Sequence, residues 1–182
     1  MTVTIVSGVG AARAREAFGV RHAELQEVLE HWANVLATAA GNGRLVRNLL
    51  RFFLTDEVLP HARAEERTLY RAARRDPATG PLVQALVGEH EVLKSMTARL
   101  SEPARPAAIA AQAVAIVALF ASHVAKEDTL LLPAIERSGV DLASLLAREP
   151  LLAGGCRLRF STAEHPQRHM MREHPWRFGN AT

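Results

Sequence analysis

The sequence lacks the features that mark a secreted or membrane-spanning protein. It has a single cysteine, Cys156, so no internal disulfide can form, and this usage is typical of a reducing compartment such as the cytoplasm. The first ten residues, MTVTIVSGVG, have no positive charge and no long apolar core, so we predict no signal peptide. The most apolar run, residues 107–122, is shorter than the ~20 residues that a membrane span requires.

Aromatic residues are also scarce, at 5% of the chain, and the hydrophobic content of 48% comes mainly from alanine, leucine and valine. Alanine, leucine, arginine and glutamate have high helix propensity, so this composition favours helices over sheets. A chain of 182 residues is long enough for one domain with a hydrophobic core. We therefore predict a single all-α domain.

Charge of one sign accumulates only near the C-terminus. The formal net charge is +3, and the chain after Cys156 holds five arginines and two glutamates, whereas the charges of the preceding residues balance. No nucleic-acid recognition motif accompanies this small basic patch. We predict no nucleic-acid partner and, from the apolar run described above, no membrane partner.

Four segments of the chain place apolar residues at helical spacing. They run from about Arg15 to Ala40, Arg44 to Arg75, Pro81 to Leu100 and Ala107 to Arg137. Glycine- and proline-rich turns separate them, and Pro60 is expected to kink the second segment. Short turns between long helices predict an antiparallel up-down-up-down four-helix bundle.

The bundle is predicted to occupy residues 15–138. Residues 1–14 are assigned to an N-terminal arm, and residues 139–182 to an irregular C-terminal extension with a basic, histidine-containing tail. Proline, glycine and arginine accumulate from Glu149 onward, although a short helix near residues 141–148 is expected before that point.

Histidine and glutamate recur four residues apart in two of these segments. The pairs are His61 with Glu65 and His123 with Glu127. On a helix this spacing puts both side chains on one face, about 5–6 Å apart at Cβ. Each pair follows a helix that carries one histidine on its apolar stripe. This internal repeat predicts approximate two-fold symmetry around a central site.

Six residues thus form a candidate metal site. They are His22, His61, Glu65, His90, His123 and Glu127. One histidine on an apolar face is usually an ordinary core residue, but burying four imidazoles and two carboxylates together would cost free energy unless a partner compensates them. Bound metal would be that partner.

The number of ligands indicates two metal ions, because six are too many for one tetrahedral zinc. If Glu65 and Glu127 both bridge, each ion receives two imidazoles and two carboxylate oxygens. An oxo or hydroxo bridge would leave a position open for a small ligand. Mixed imidazole and carboxylate ligation suits iron, with manganese as the alternative. The chain contains no Glu-x-x-His, so the ferritin-like di-iron pattern is absent.

The order His, His-x-x-x-Glu, His, His-x-x-x-Glu resembles the hemerythrin-like, or HHE cation-binding, domain family over residues 15–137. This resemblance implies a hemerythrin-like four-helix bundle with a non-haem di-iron centre. It also implies that the six residues are the metal ligands. Members of the family bind dioxygen, sense oxygen or iron, handle nitric oxide, decompose peroxide or repair iron–sulfur centres.

Two departures narrow the functions that this resemblance implies. The positions four before and after His90 are Leu86 and Lys94, so the His-x-x-x-His pair of the oxygen carriers is missing. The N-terminal arm has no cysteine, which disfavours iron–sulfur repair. We predict a di-iron oxidoreductase that decomposes hydrogen peroxide or uses dioxygen to oxidise a small-molecule co-substrate. The alternative is a module that binds or senses oxygen, nitric oxide or iron without turnover.

Several neighbours of the six residues have weaker signals. Glu66 and Asp128 point about 100° away from the ligands before them, and either accept the outer N–H of a ligating histidine from an adjacent helix or lie on the solvated surface. Glu89 is interpreted as a surface side chain. Lys94, one turn after His90, either presents its ammonium to a bound oxygen species or extends to the end of the bundle, and we favour the second interpretation. Tyr70 is half a helical turn away from the ligand face and is given no role.

Overall fold

The computed structural model describes residues 3–38 and 43–154, with side chains from residue 10 onward, and no strand occurs in that part of the chain. The helices are α1 (Val3–Thr38), α2 (Gly43–Phe53), α3 (Leu59–Arg67), α4 (Leu69–Ala73), α5 (Gly80–Arg99), α6 (Pro106–Lys126), α7 (Leu132–Arg137) and α8 (Leu142–Ala147). A 3₁₀ turn, Pro77–Thr79, precedes α5. Helix α1 packs along α6 and against α2 and α8, while α5 packs against α6, α3 and α4. The prediction of an all-helical protein is confirmed.

Two π turns, Leu54–Val58 and Glu127–Leu131, join α2 to α3 and α6 to α7. A Leu-Pro pair follows each turn. Proline has no backbone N–H and its ring clashes with the carbonyl four residues earlier, so the regular α-helical hydrogen bonding cannot continue through it. The leucine N–H bonds to the carbonyl five residues back, from Leu59 to Leu54 in the first case. The disturbance predicted at Pro60 therefore takes the form of a π turn.

The buried apolar side chains form two clusters. One includes Leu25, Trp32, Leu50, Phe53 and Phe120, and the other includes Phe18, Leu69, Leu86, Leu131 and Leu152. Helix α1 contributes to both, and His22 lies between its contributions at Phe18 and Leu25. The predicted metal site therefore lies where the two apolar clusters meet, so its polar groups are enclosed on both sides.

The first helix is longer than the sequence predicted, and a short helix follows the last long helical segment. Helix α1 begins at Val3 rather than near Arg15. Residues 11–16 are alanine, arginine and glutamate, which have high helix propensity and extend the helix before Arg15. The short helix expected near residues 141–148 is confirmed as α8, whose Asp141 side chain accepts a hydrogen bond from the Ser144 backbone. Its leucines pack in the second cluster. The tail, including Cys156, lies outside the described residues.

One helical segment of the described chain, Pro106–Arg137, is long and apolar enough to cross a membrane by length and composition alone, with a mean hydropathy of 2.0 over 18 residues. The run considered from sequence was shorter because the helix continues past His123. Core helices of soluble proteins pass the same test. This segment packs along α1 and buries both His123 and Glu127. The absence of a membrane partner stays a prediction.

Candidate metal centre

The structure brings all six predicted residues into one buried layer. None of them exposes more than 5% of its surface. Helix α1 supplies His22, α3 supplies His61 and Glu65, α5 supplies His90, and α6 with its π turn supplies His123 and Glu127. All four histidines turn Nε2 towards the two carboxylates. The helical spacing of the two pairs is the local cause, because i and i+4 share a face.

Glu65 lies at the centre of this layer. Its Oε1 is 2.9 Å from Nε2 of His61 and 3.1 Å from Nε2 of His22, while its Oε2 is 3.3 Å from Nε2 of His90. Two groups of three side chains, each including Glu65, have donor atoms within 4.8 Å of one another. We call His22 with His61 the first half-site and His90 with His123 the second half-site. Glu65 belongs to both.

Glu127 connects the two half-sites from the other side. Its Oε2 lies 3.4 Å from Nε2 of His22 and 3.6 Å from Nε2 of His123. This oxygen is buried and has no hydrogen-bond partner among residues 10–38 and 43–154. The other oxygen, Oε1, accepts a hydrogen bond from the Tyr70 hydroxyl at 2.8 Å.

The first half-site has a backbone acceptor behind one of its histidines. Nδ1 of His61 is 2.8 Å from the carbonyl oxygen of Leu151. A carbonyl can only accept, so Nδ1 donates, and Nε2 is the nitrogen that faces Glu65. Nδ1 of His22 is buried without a hydrogen-bond partner in the described chain, and Oδ1 of Asp128 is 3.8 Å away.

The second half-site has carboxylates behind both histidines. Nδ1 of His90 is 2.8 Å from Glu66, and Nδ1 of His123 is 3.0 Å from Glu89, which also accepts a hydrogen bond from Lys126. Burial would raise the pKa of Glu89, but the hydrogen bonds from Lys126 and His123 outweigh it and lower that pKa. The surface interpretation of Glu89 was therefore wrong. For Glu66 both sequence alternatives hold in part, because its carboxylate faces Nδ1 of His90 and its side chain is also 37% exposed to solvent.

The two central carboxylates differ in their electrostatics. Burial raises the pKa of Glu127 well above its usual range, and the negative charge of Glu65 acts in the same direction. Burial acts likewise on Glu65, but the contacts with His61, His22 and His90 outweigh it and hold the pKa of Glu65 well below its usual range. Two adjacent buried carboxylates cannot both remain charged without nearby positive charge.

These residues fit bound cations. Nε2 of His61 lies 2.9 Å from Oε1 of Glu65, but no hydrogen bond joins the two atoms. Nε2 of His61 and Oε2 of Glu127 are both buried without a hydrogen-bond partner in the part of the chain that the structure describes. Imidazole nitrogens and carboxylate oxygens converging on one point are the donors that transition-metal ions take.

Tyr70 is the site residue that sequence reasoning missed. Its side chain is fully buried, and its hydroxyl lies 3.2 Å from Nε2 of His123 and 3.4 Å from Nε2 of His90. The angular argument failed because the helix is interrupted at Thr68, where ψ is −79°, so α4 does not continue the register of α3. Burial and the charges of the nearby carboxylates raise the pKa of Tyr70, which keeps the phenol protonated.

Other polar side chains near the ligands point away from the site. Lys94 is exposed and forms an ion pair with Glu91, so its ammonium does not face the cluster. Gln26, one turn after His22, hydrogen bonds to Glu30 on the exposed side of α1. The histidines of the C-terminal tail lie beyond the described residues.

Comparison with known families agrees with this geometry. The family profile described as hemerythrin HHE cation binding domain matches residues 14–136. Neither the curated proteins nor the solved structures produced a match. The matched range contains all six residues of the cluster and Tyr70.

Proposed function

This chain belongs to the hemerythrin HHE cation-binding domain family, and from that membership and the buried cluster we propose that it binds two iron ions and acts as an oxidoreductase. Its substrates would be dioxygen, hydrogen peroxide or nitric oxide. A small-molecule co-substrate is part of the proposal where dioxygen is the oxidant. The chemistry would be peroxide decomposition or oxygen-dependent oxidation.

The observation that carries this proposal is the division of Glu65 between two pairs of imidazoles. Its two oxygens face different half-sites, and the two groups of donor atoms overlap only in this residue. A single ion would not require both groups, and a cluster held by hydrogen bonds alone would not leave Nε2 of His61 and Oε2 of Glu127 buried without a hydrogen-bond partner among the described residues. Two cations, both held by Glu65, would account for both features.

Each residue then has a definite task. His22 and His61 would hold one ion, His90 and His123 the other, and Glu65 both, with Glu127 completing the bridge. Bound iron supplies redox and Lewis-acid chemistry at this point. Mixed imidazole and carboxylate donors favour iron, with manganese as the second choice.

Tyr70 and Phe18 contact these groups from outside the set of six residues. The Tyr70 hydroxyl donates to Oε1 of Glu127, which directs the other oxygen towards His22 and His123. The Phe18 ring lies edge-on to His22, with ring centroids 4.1 Å apart, and closes the site on the side of the second apolar cluster. A dry, enclosed site strengthens electrostatic interactions with a small ligand.

The first test is the metal content of the purified protein, with absorption spectra before and after peroxide. We expect two irons per chain, matching the two donor groups, and a spectrum that responds to peroxide. His61→Gln should lose iron. His31→Gln is the matched control, because His31 packs against Trp32 away from the cluster. Wild-type protein without bound metal would refute the proposal.

The same experiment distinguishes the two classes of function. Sustained consumption of peroxide, or of dioxygen coupled to a product, supports an oxidoreductase. A reversible spectral change with no turnover would instead favour a module that binds or senses oxygen, nitric oxide or iron.

We also propose that the four long helical segments run antiparallel in an up-down-up-down bundle. Supporting contacts are those of α1 with α2 and of α5 with α6, together with a hydrogen bond from the Gln112 side chain on α6 to the Met96 carbonyl on α5. Distances between spin labels at the helix ends would test this order. The cytoplasmic location stays a prediction from composition.

A further inference from the structure

The segment after α8, residues 149–154, crosses back onto the bundle, and we call it the C-terminal strap. The carbonyl of Leu151 lies 2.8 Å from Nδ1 of His61, ninety residues earlier in the chain. Next to it, the Leu152 side chain is fully buried in the second apolar cluster. Glu149, at the start of the strap, accepts a hydrogen bond from Arg67 of α3 at 2.9 Å.

No other histidine of the site depends on this part of the chain. The acceptors for Nδ1 of His90 and His123 are Glu66 and Glu89, partly exposed carboxylates on α3 and α5 rather than on the segment after α8. His61 instead uses a neutral carbonyl on a segment that is held by the buried Leu152, the partly buried Leu151 and the ion pair between Arg67 and Glu149. Charged acceptors form the stronger hydrogen bonds, so the second half-site is held more firmly than the first.

We propose that the C-terminal strap positions His61 and thereby controls metal affinity at the first half-site alone. When the strap is seated, the Leu151 carbonyl holds the proton on Nδ1 and turns Nε2 towards Glu65. When the strap shifts, His61 loses its acceptor and can rotate or exchange tautomers, while His90 and His123 are unaffected. The expected change in metal affinity rests on the proposed function, whereas the expected change in the orientation of His61 does not.

The strap has a built-in position for a selective test. The Gly154 N–H bonds to the Pro150 carbonyl at 2.7 Å, and a Cβ at position 154 would lie 2.5 Å from that carbonyl oxygen. Gly154→Ala therefore forces the backbone of the strap to shift without removing any group from the site or the core. Gly88→Ala is the matched control, because a Cβ at this exposed position meets nothing within 4 Å.

The first measurement is nitrogen-15 NMR of the histidine rings in metal-free protein, with His61→Gln used to assign the His61 signals. In wild type and in Gly88→Ala we expect His61 to be a single Nδ1–H tautomer. In Gly154→Ala we expect that tautomer to become a mixture, with the His90 and His123 signals unchanged. Arg67→Ala, which removes only the ion pair to Glu149, should give the same change to a smaller degree. It carries the test if Gly154→Ala does not fold.

The second measurement is a metal titration of the same variants with ferrous iron. We expect one of the two ions to bind about 10–100-fold more weakly in Gly154→Ala, which is the usual effect of losing the hydrogen-bond partner of a ligating histidine. The other ion should bind as in wild type. An unchanged His61 tautomer, or equal weakening of both ions, would overturn the inference. If wild type binds no iron while the NMR change occurs, the positioning role stands and the proposed function fails.

Discussion

The two half-sites have the same donor atoms but different surroundings. In the second, Glu66 and Glu89 accept hydrogen bonds from the outer nitrogens of both histidines. In the first, His61 has only the Leu151 carbonyl, and His22 has no hydrogen-bond partner for Nδ1 among the described residues. The sequence repeat therefore duplicates the histidines and glutamates of the cluster and not the groups that hold them. If the cluster binds two ions as proposed, a symmetric set of donor atoms can still give them different affinities.

The largest expected effect removes the residue that the half-sites share. Glu65→Gln keeps the shape of the side chain but removes the negative charge between two pairs of imidazoles. We expect iron content to fall from two per chain towards none. Elemental analysis would measure this, with Glu30→Gln on the exposed side of α1 as the control. Loss of one ion only would show that the half-sites are not bridged by Glu65.

A buried ion pair beside the first half-site is the next target. Nη2 of Arg21 is 2.7 Å from Oε2 of Glu57, and each side chain is only 2% exposed. Arg21 directly precedes His22 on α1. Glu57 lies in the π turn Leu54–Val58, one turn before His61. Arg21→Met should cost about 3–5 kcal/mol of unfolding free energy, because the Glu57 carboxylate would stay buried without its guanidinium.

Denaturant unfolding of metal-free protein would measure that cost. The double variant Arg21→Met with Glu57→Leu should recover most of it, since apolar replacements of a buried pair are often close to neutral. If the single variant is as stable as wild type, the pair has no structural role at this site. We expect iron affinity in the single variant to fall mainly at the first half-site.

A variant can also weaken the second half-site and leave the first unchanged. Glu89→Gln weakens the acceptor behind His123 and leaves the C-terminal strap untouched. We expect about 10–100-fold weaker binding of one ion, and this should be the ion that Gly154→Ala leaves unchanged. Competition titrations of the two variants would show the complementary pattern. Glu91→Gln, at an exposed neighbouring position, is the control, and equal loss of both ions in Glu89→Gln would contradict the assignment.

The smallest of these effects is expected from Tyr70→Phe. This change removes the hydroxyl that donates to Oε1 of Glu127 at 2.8 Å and leaves a buried acceptor unsatisfied. We expect metal-free protein to lose about 1–3 kcal/mol of unfolding free energy. Thermal and denaturant unfolding would measure it. Stability equal to wild type would mean that the hydroxyl does not hold Glu127 in place.

The sequence predicted the helices and the contributors to the cluster because both follow from spacing within a single helix. His61 with Glu65, and His123 with Glu127, share a face in any helix that contains them. The same rule failed for Tyr70, because the helix is interrupted at Thr68. It also failed for Glu89, because the direction in which Glu89 leaves α5 does not reveal that His123 on α6 lies within hydrogen-bond distance. Both errors concern relations between segments rather than within them.

The amino-acid sequence by itself determined the helical fold class. It also determined that four histidines and two glutamates lie on apolar stripes, because helical periodicity is a local property of the chain. Only the tertiary structure decided which oxygen of Glu65 faces which imidazole, and that the Leu151 carbonyl lies behind His61. These relations join residues far apart in the chain. They depend on how the π turns and the C-terminal strap set one segment against another, and no pattern within a single helix encodes that.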